Sequence, residues 1–403
     1  MITHDVVVVG GGPVGVFAAA LLAARGLDVA VWERRTDEPR LSRAIGVHPP
    51  SLDALAEVGA ADAVVDSAVR IRRGLARSGG RTLGVVEFDR PGARWPFVAA
   101  VPQHRTEAVL RDRLEVLAPG ALRRGMTLGS LREEDERVVL EGTGPDGPVA
   151  VAARFVVAAD GSRSGVRDLL GVDAPVRRYP DRFVMGDFAD ETGHGADAVV
   201  HVEGDGVVES FPLPGGVRRF VVSLPPEGAT RLVGGATARP GDAPDASDAP
   251  DVDAVADLVG RRTGLAVDPA SSTMLSAFSV QRRLADRTAV GRVLLIGDAA
   301  HEISPIGGQG MNLGWLDAVA WAPVLSRALR TAGGRRVDPT AFRATEAARR
   351  RAAVRAARQA EVNMALGRPT GPRALALRRA GLTVALRSPA SRLLADTYAM
   401  RFA

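Results

Sequence analysis

The stretch DVVVVGGGPVGVFAAALLAARGLDVAVWERR, residues 5–35, constrains this chain more than any other. Residues 6–9 form a continuous β-branched run, which suits a parallel strand buried on both faces. Three glycines follow, then the helical run FAAALLAARG with Gly26 placed for a C-cap, then the strand DVAVWE. This order predicts a βαβ unit. Gly10-Gly11-Gly12-Pro13-Val14-Gly15 fits G-x-G-x-x-G at the strand-to-helix turn. Gly10 permits the tight turn, Gly12 lets a pyrophosphate reach the helix N-terminus, and Gly15 lets helix and strand pack closely. Glu33 ends the second strand, 23 residues after Gly10, where its carboxylate can accept hydrogen bonds from a ribose diol. The unit therefore predicts a Rossmann-like dinucleotide-binding domain, and the sequence carries one such fingerprint.

A second stretch, GDAAHEISPIGGQGMNLG, residues 297–314, follows the apolar run Val293-Leu294-Leu295-Ile296. Glycine is costly inside a helix, yet Gly307, Gly308, Gly310 and Gly314 crowd the start of one expected near 310–330. Something is expected to approach the backbone there.

Composition removes several chemistries. There is no cysteine, which excludes disulfides, zinc thiolate sites and cysteine nucleophiles. All 52 basic residues are arginine, which excludes a Walker-type lysine, a Schiff-base lysine and a lysine general acid. No Ser-His-Asp arrangement and no metal-ligand spacing is evident, so no metal is expected. The start MITHD reads as lacking a signal peptide, and the longest apolar run, 16–24, is too short for a bilayer, so a cytoplasmic location is expected.

Elsewhere, PQHRTEAVLRDRLEVL (102–117) predicts a helix, and RFVVAADGSRSGVRDLLG (154–171) a strand, turn and helix. RFVMGDFAD (182–190) and VVESFPLPGGVRRFVVSLP (207–225) predict an antiparallel sheet with a Pro-Gly-Gly turn. The Ala/Pro/Asp-rich run 238–254 reads as a mobile surface loop, and the tail 338–403 as mostly helical. Residues 341–403 hold 13 Arg against 3 acidic residues, a net +10, which reads as a solvated helical face more than as a patch for anionic lipid or nucleic acid.

The fingerprint, DGSRSGVR (160–167) and GDAAHEISPIGGQGMNLG together resemble the FAD-dependent aromatic hydroxylases of the single-component type, with the p-hydroxybenzoate hydroxylase fold, over nearly the whole chain. The resemblance implies an α/β fold: a Rossmann-like FAD-binding domain, an inserted antiparallel-sheet substrate domain and a C-terminal helical region. The implied boundaries are 1–70, 101–175 and 281–335 for the FAD-binding domain, 71–100 and 176–280 for the substrate domain, and 336–403 for the C-terminal helices. It implies that Asp298 binds the ribityl chain, that Asp160 and Gly161 lie near FAD and the nicotinamide path, and that Arg43 and Arg105 contact phosphates or ribityl. The cofactor set is completed by Gly10, Gly12, Pro13, Gly15, Glu33, Arg34, Gln103, Pro305, Gly308, Gly310, Met311 and Asn312. Backbone N–H groups of the glycine run would reach the flavin ring, and the helix that follows would point its positive end at the same atoms. His48 is the candidate catalytic base, and His301 reads as a hydrogen-bonded structural residue. Trp95, Phe97, Met185, Phe211 and Phe220 fall in segments the resemblance assigns to the substrate sheet, and each reads as core more than as pocket wall.

The implied reaction is hydroxylation of an electron-rich aromatic ring through a C4a-hydroperoxyflavin, with FAD as cofactor and NADPH or NADH and O2 as co-substrates. A phenolic, quinone-precursor or polyketide substrate is expected; the tail 377–400 and SPIGGQGMNLGWLDA loosely resemble hydroxylases of ubiquinone biosynthesis. Baeyer-Villiger insertion or epoxidation on the same fold is the alternative. A flavin halogenase relies on an active-site lysine and a Trp-rich motif, which this sequence lacks, and a non-enzymatic carrier has no need of Asp298 and the glycines after it. No nucleic-acid partner and no transmembrane segment is expected, weak membrane-surface contact is allowed, and the protein is expected to be a monomer or homodimer.

Overall fold

In the computed structural model, which describes residues 2–37, 44–90, 92–224, 250–330 and 338–401, the run 6–9 lies at the middle of a sheet. Its strand, Ile2–Val9, pairs in parallel with Gly147–Ala158 on one side and Val29–Glu33 on the other. Val6 faces Phe155 across one ladder and Val29 across the other. Val293–Leu295 extends the sheet beyond Gly147–Ala158, and Leu122–Arg124 extends it beyond Val29–Glu33, all in parallel. Val6, Val7 and Val8 are fully buried: Val6 and Val8 share a core with the helix Pro13–Ala23, and Val7 shares one with Val138 and Leu140 of the strand Val138–Gly144 and with Val166, so both faces are covered as the β-branched run required.

The helix Pro13–Ala23 is apolar on every side, and a helix of that kind must be covered all round. Gln103–Leu117 and Gly310–Arg330 pack against it. Phe17 meets Trp315 edge to face at 6.4 Å between ring centroids, and the Trp315 indole N–H donates to the Pro13 carbonyl at 3.0 Å. Gly314 makes this approach possible, since a β-carbon there would lie 2.5 Å from the Val14 side chain.

A second sheet of eight strands carries Arg73–Ser78, Arg81–Glu87, Val176–Ala189, Ala198–Glu203, Gly206–Leu213, Val217–Leu224, Met274–Leu284 and His301–Glu302. Its pairs are antiparallel except Ala198–Glu203 with Arg73–Ser78. The turn between Gly206–Leu213 and Val217–Leu224 contains Gly215 and Gly216 with φ of +83° and +71°, which glycine adopts at little cost. The helices Pro339–Gly367, Pro372–Arg387 and Ala390–Tyr398 complete the chain, and none of the described helices is long and apolar enough to cross a membrane.

Two expectations change. The run 238–254 is not loop throughout: residues 238–249 lie outside the described residues, but Val252–Thr263 is helical. Asp251 caps it by accepting from the backbone N–H groups of Asp253 and Ala254 at 3.0 and 3.3 Å, and Gly264 closes it at φ +74°. The basic tail is not only a solvated face. Arg349 is buried on Asp317, Arg368 pairs with Asp181 at 2.8 Å, and Arg387 and Arg401 donate to the carbonyls of Leu83 and Phe88.

Candidate functional site

Four turns leave the carboxyl ends of adjacent parallel strands: Gly10 after Ile2–Val9, Glu33 closing Val29–Glu33, Ala159–Gly161 after Gly147–Ala158, and Gly297–Asp298 after Val293–Leu295. In open α/β sheets ligands bind outside these ends. Here the turns line a cavity of about 930 Å³, whose wall also includes Met185, Val200, Phe211, Val221 and Phe278 of the second sheet and Asn363, Leu386 and Tyr398 of the C-terminal helices.

Each turn is shaped by close packing. Gly10 has φ +109°, and a β-carbon there would lie 2.3 Å from the Ala159 carbonyl oxygen. One at Gly15 would lie 1.9 Å from the Gly10 carbonyl oxygen, so the helix could not approach the strand. Gly12 differs, because a β-carbon there meets no protein atom within 4 Å and faces the cavity. Glu33 accepts the Gly11 N–H at 2.7 Å and the Arg35 N–H and Nε at 2.9 and 3.0 Å. Burial raises its pKa, but the bonds from Arg35 and Gly11 outweigh this and hold it below the usual carboxylate range. Asp160 accepts the Val166 N–H through Oδ2 at 3.1 Å, while its buried Oδ1 has no hydrogen-bond partner among the described residues.

Asp298 opens onto the same cavity and makes no hydrogen bond to a described residue. Its side chain is exposed toward that cavity, and the protein packed around it, reinforced by Glu302, pushes its carboxyl up to about 6. The loop carrying it is fixed by a buried triad. Asp317 accepts the Gly297 N–H at 3.0 Å, His301 Nε2 at 2.6 Å and Arg349 Nε at 2.8 Å. Burial opposes both charges, but mutual attraction wins, so the His301 pKa is raised and the Asp317 pKa lowered. Arg167, also buried, donates to the carbonyls of Ala299 and Ser162 at 3.2 and 3.0 Å and so ties the 160–167 turn to the 297–300 turn.

Downstream, Gly307 and Gly308 have φ of +97° and +66°, so they are required by backbone conformation. Asn312 is fully buried; its Oδ1 accepts the His48 N–H, and its Nδ2 donates to the carbonyls of Gly46 and Gly308, all at 2.9 Å. His48 lines the cavity beside Gly308, and burial lowers its pKa to about 4 against the weaker pull of backbone groups of Gly308 and Tyr398. The imidazole is therefore neutral at physiological pH and a weak proton acceptor.

The cavity gathers Gly10, Gly12, Pro13, Glu33, Arg34, His48, Gln103, Asp160, Gly161, Asp298, Pro305, Gly308, Gly310, Met311, Met185 and Phe211. Other expected residues stand elsewhere. Gly15 lies behind the loop, Asn312 is committed to backbone groups, and Arg105 is exposed on Gln103–Leu117 and does not line the cavity. Arg43 lies outside the described residues. Trp95 and Phe97 do not face the cavity; they pack edge to face at 6.2 Å in the core beneath the nucleotide helix. Phe220 is also a correction. Strand alternation sends Arg219 and Val221 to the cavity and Phe220 to the other face, where it meets Phe188 and the helix Val252–Thr263. Sequence reading missed Arg167, Asp317, Arg349, Glu209 and Tyr398. For Glu209 a signal existed, since an acid between Val207 and Phe211 at period 2 stands on an otherwise apolar strand face.

A glycine turn, an acid closing the second strand and a glycine-rich helix start, all at strand ends that open onto a chamber walled by a second sheet, define a dinucleotide-binding α/β protein. Residues 3–359 match the FAD binding domain family, and the chain belongs to it. It is 33% identical over 336 residues to 12-dehydrotetracycline 5-monooxygenase/anhydrotetracycline 6-monooxygenase of Streptomyces rimosus, covering 78% of this chain and 61% of that relative. It is 34% identical over 317 residues to rifampicin monooxygenase of Streptomyces venezuelae, covering 78% and 62%. The chain thus spans about three-fifths of the length of these curated relatives. Among solved structures it is similar to the anhydrotetracycline hydroxylase OxyS from Streptomyces rimosus, with a TM-score of 0.77 at 30% identity, covering 99% of this chain and 76% of that one. It shares its fold with p-nitrophenol 4-monooxygenase PnpA from Pseudomonas putida DLL-E4, with a TM-score of 0.84 at 24% identity, covering 100% and 98%.

Proposed function

We propose that this protein is an FAD-dependent monooxygenase that hydroxylates an electron-rich aromatic substrate, a phenolic, quinone-precursor or polyketide ring, at the expense of NADPH or NADH and O2. The observation that carries this reading is the continuity of the cavity, in which the nucleotide turns and the apolar sheet wall face one space. The names of the relatives, which include tetracycline and rifampicin monooxygenases, support the substrate class.

The residues present fit the cofactor. Gly12 faces open space, and among the described residues Asp160 holds an unpartnered buried oxygen and Asp298 a carboxyl with no donor. Gly10, Gly12 and Pro13 would hold the pyrophosphate at the helix N-terminus, with Glu33 and Arg34 toward the adenosine and Asp298 toward the ribityl hydroxyls. Gly308 and Gly310 would face the flavin ring, with Pro305, Met311 and Gln103 at its margins. Bound FAD supplies two-electron chemistry between reduced nicotinamide and dioxygen.

The chain supplies binding, orientation and exclusion of water. The start of Gly310–Arg330 directs the positive end of a helix into the cavity, which favours negative charge there. Asn312 locks the Gly46–His48 turn against Gly308, so that turn and glycine run keep one spacing. Val200, Val221, Phe211 and Phe278 give a ring a dry wall. In the net reaction one oxygen atom of O2 enters the ring, the other leaves as water, and the nicotinamide is oxidised. A reaction drawing on NAD(P)H supports a cytoplasmic location.

Aerobic incubation of FAD-reconstituted protein with a panel of phenols tests the assignment. At least one phenol is expected to stimulate NAD(P)H oxidation and to gain one oxygen atom. A preparation that takes up no flavin, or that oxidises nicotinamide without converting any phenol, stands against it.

A further inference from the structure

The cavity wall formed by Ala198–Glu203, Gly206–Leu213 and Val217–Leu224 is apolar with two exceptions, Glu209 and Arg219. Arg219 is committed, since its Nε and Nη2 donate to the two carboxylate oxygens of Asp187 at 2.6 and 2.7 Å. Glu209 is not. The ladders set it opposite Val200 on one side and Val221 on the other, and its strand neighbours on the cavity face are Val207 and Phe211. It makes no hydrogen bond or ion pair with a described residue. A carboxyl in such a wall is costly unless something donates to it, and the cavity is the side from which a donor can come.

We propose that Glu209 receives a hydroxyl group of the aromatic substrate, accepting its hydrogen bond and, as the ring reacts, its proton. The proposal rests on the oxygenase reading for the identity of the ligand as a substrate. In the proton step the phenolic O–H bond breaks, the proton passes to a Glu209 oxygen, and the electron pair stays on the phenolic oxygen. The ring becomes more electron-rich, which is what attack on an electrophilic oxygen requires, and no redox partner is consumed.

The other titratable groups around the cavity leave this task to Glu209. Burial, reinforced by the charge of the neighbouring Glu209, pushes the Tyr398 hydroxyl up to about 12, and that hydroxyl already donates to Asn363 Oδ1 at 2.9 Å. Burial holds His48 near 4, so it is neutral, and Arg219 is paired with Asp187. Asp298, at about 6, stands on the flavin side beside Gly310. Burial alone raises Glu209 to about 7, so its carboxyl exchanges a proton close to neutrality.

Binding of β-naphthol and of its methyl ether to the FAD-loaded protein, measured by equilibrium dialysis at about pH 8 and about pH 6, tests this directly. Glu209→Leu and Glu209→Gln are compared with wild type, and circular dichroism checks that each folds. Leucine among valines suits the apolar wall, and glutamine preserves shape. Wild type is expected to prefer naphthol over the ether by about tenfold or more at the higher pH, as a hydrogen bond to a charged acceptor allows. That preference is expected to shrink at the lower pH, where the protonated carboxyl can donate to the ether oxygen. Glu209→Leu is expected to lose the preference while keeping its affinity for the ether. Glu209→Gln is expected to keep a small preference that does not change with pH. A preference equal in wild type and Glu209→Leu, absent in wild type, or independent of pH in wild type overturns the proposal, as does failure of either probe to bind. Product formation from naphthol is scored separately. Naphthol bound with the expected preference but never oxygenated retains Glu209 as its receptor and removes the oxygenase reading.

Discussion

A β-carbon on Gly15 would lie 1.9 Å from the Gly10 carbonyl oxygen, whereas one on Gly12 would meet nothing within 4 Å. The two glycines of one motif therefore answer to different demands: Gly15 to the packing of the fold and, under the proposed function, Gly12 to the approach of a ligand. Gly15→Ala is expected to lower stability by about 1–3 kcal/mol, as overpacking does, with the loss read from chemical denaturation. Gly12→Ala is expected to leave the unfolding curve in place and to weaken FAD by about tenfold or more, because the added methyl group enters the space a pyrophosphate needs. Equal stability losses in the two variants would remove the distinction. Asp298→Ala is expected to keep the fold and lose about 1.5–3 kcal/mol of FAD affinity, the worth of hydrogen bonds to a charged acceptor, measured by flavin titration. Unchanged affinity would move Asp298 out of the site. Gly308 is a poorer probe of ligand approach, since its φ of +66° makes any side chain costly for backbone reasons alone.

At the scale of elements, Asp317 joins three segments: the 297–301 turn, the helix Gly310–Arg330 and the helix Pro339–Gly367. Removing its charge strands two buried cations, so Asp317→Asn is expected to cost about 3–5 kcal/mol in denaturant unfolding. The pH dependence follows from the two shifts. The raised His301 pKa contributes stability that is full below its ordinary value of 6.5 and is lost as pH rises through the folded pKa. The lowered Asp317 pKa contributes stability above 3.8 that is lost as pH falls through the folded value. The gap between wild type and variant is therefore expected to be widest in mildly acidic solution and to narrow on either side; a gap indifferent to pH would contradict the ionised triad. Elements whose signals are local were legible in the sequence. The expected helix 102–117 is Gln103–Leu117, and the Pro-Gly-Gly turn joins two paired strands. The triad was not legible, because Asp317 and Arg349 are 32 residues apart and meet only when two helices pack. Asn312 and His48, 264 residues apart, show the same limit, and it explains why Asn312 reads as a ligand contact in sequence and as a clamp in structure. The face that Phe220 takes was not legible, because an aromatic residue in a strand can face either side and only the register decides which, while Trp95 and Phe97 lie in the irregular segment before the strand Val98–Ala100, where no periodicity assigns a face.

For the whole molecule, what matters is that the parallel sheet and the antiparallel sheet open onto the same cavity and that the C-terminal helices wall it. A chain of this length has residues enough for two separate sites, yet the nucleotide turns and the apolar wall share one space. That arrangement suits a reaction in which a cofactor's reactive end must meet a ring away from water. The measurement that tests this most directly is the fate of isotopically labelled dioxygen in a single aerobic turnover of FAD-loaded protein with NADPH and a phenol that stimulates its oxidation. The proposed function requires one labelled oxygen atom in the aromatic product for each nicotinamide oxidised. Label recovered only as hydrogen peroxide, with the phenol unchanged, would contradict it.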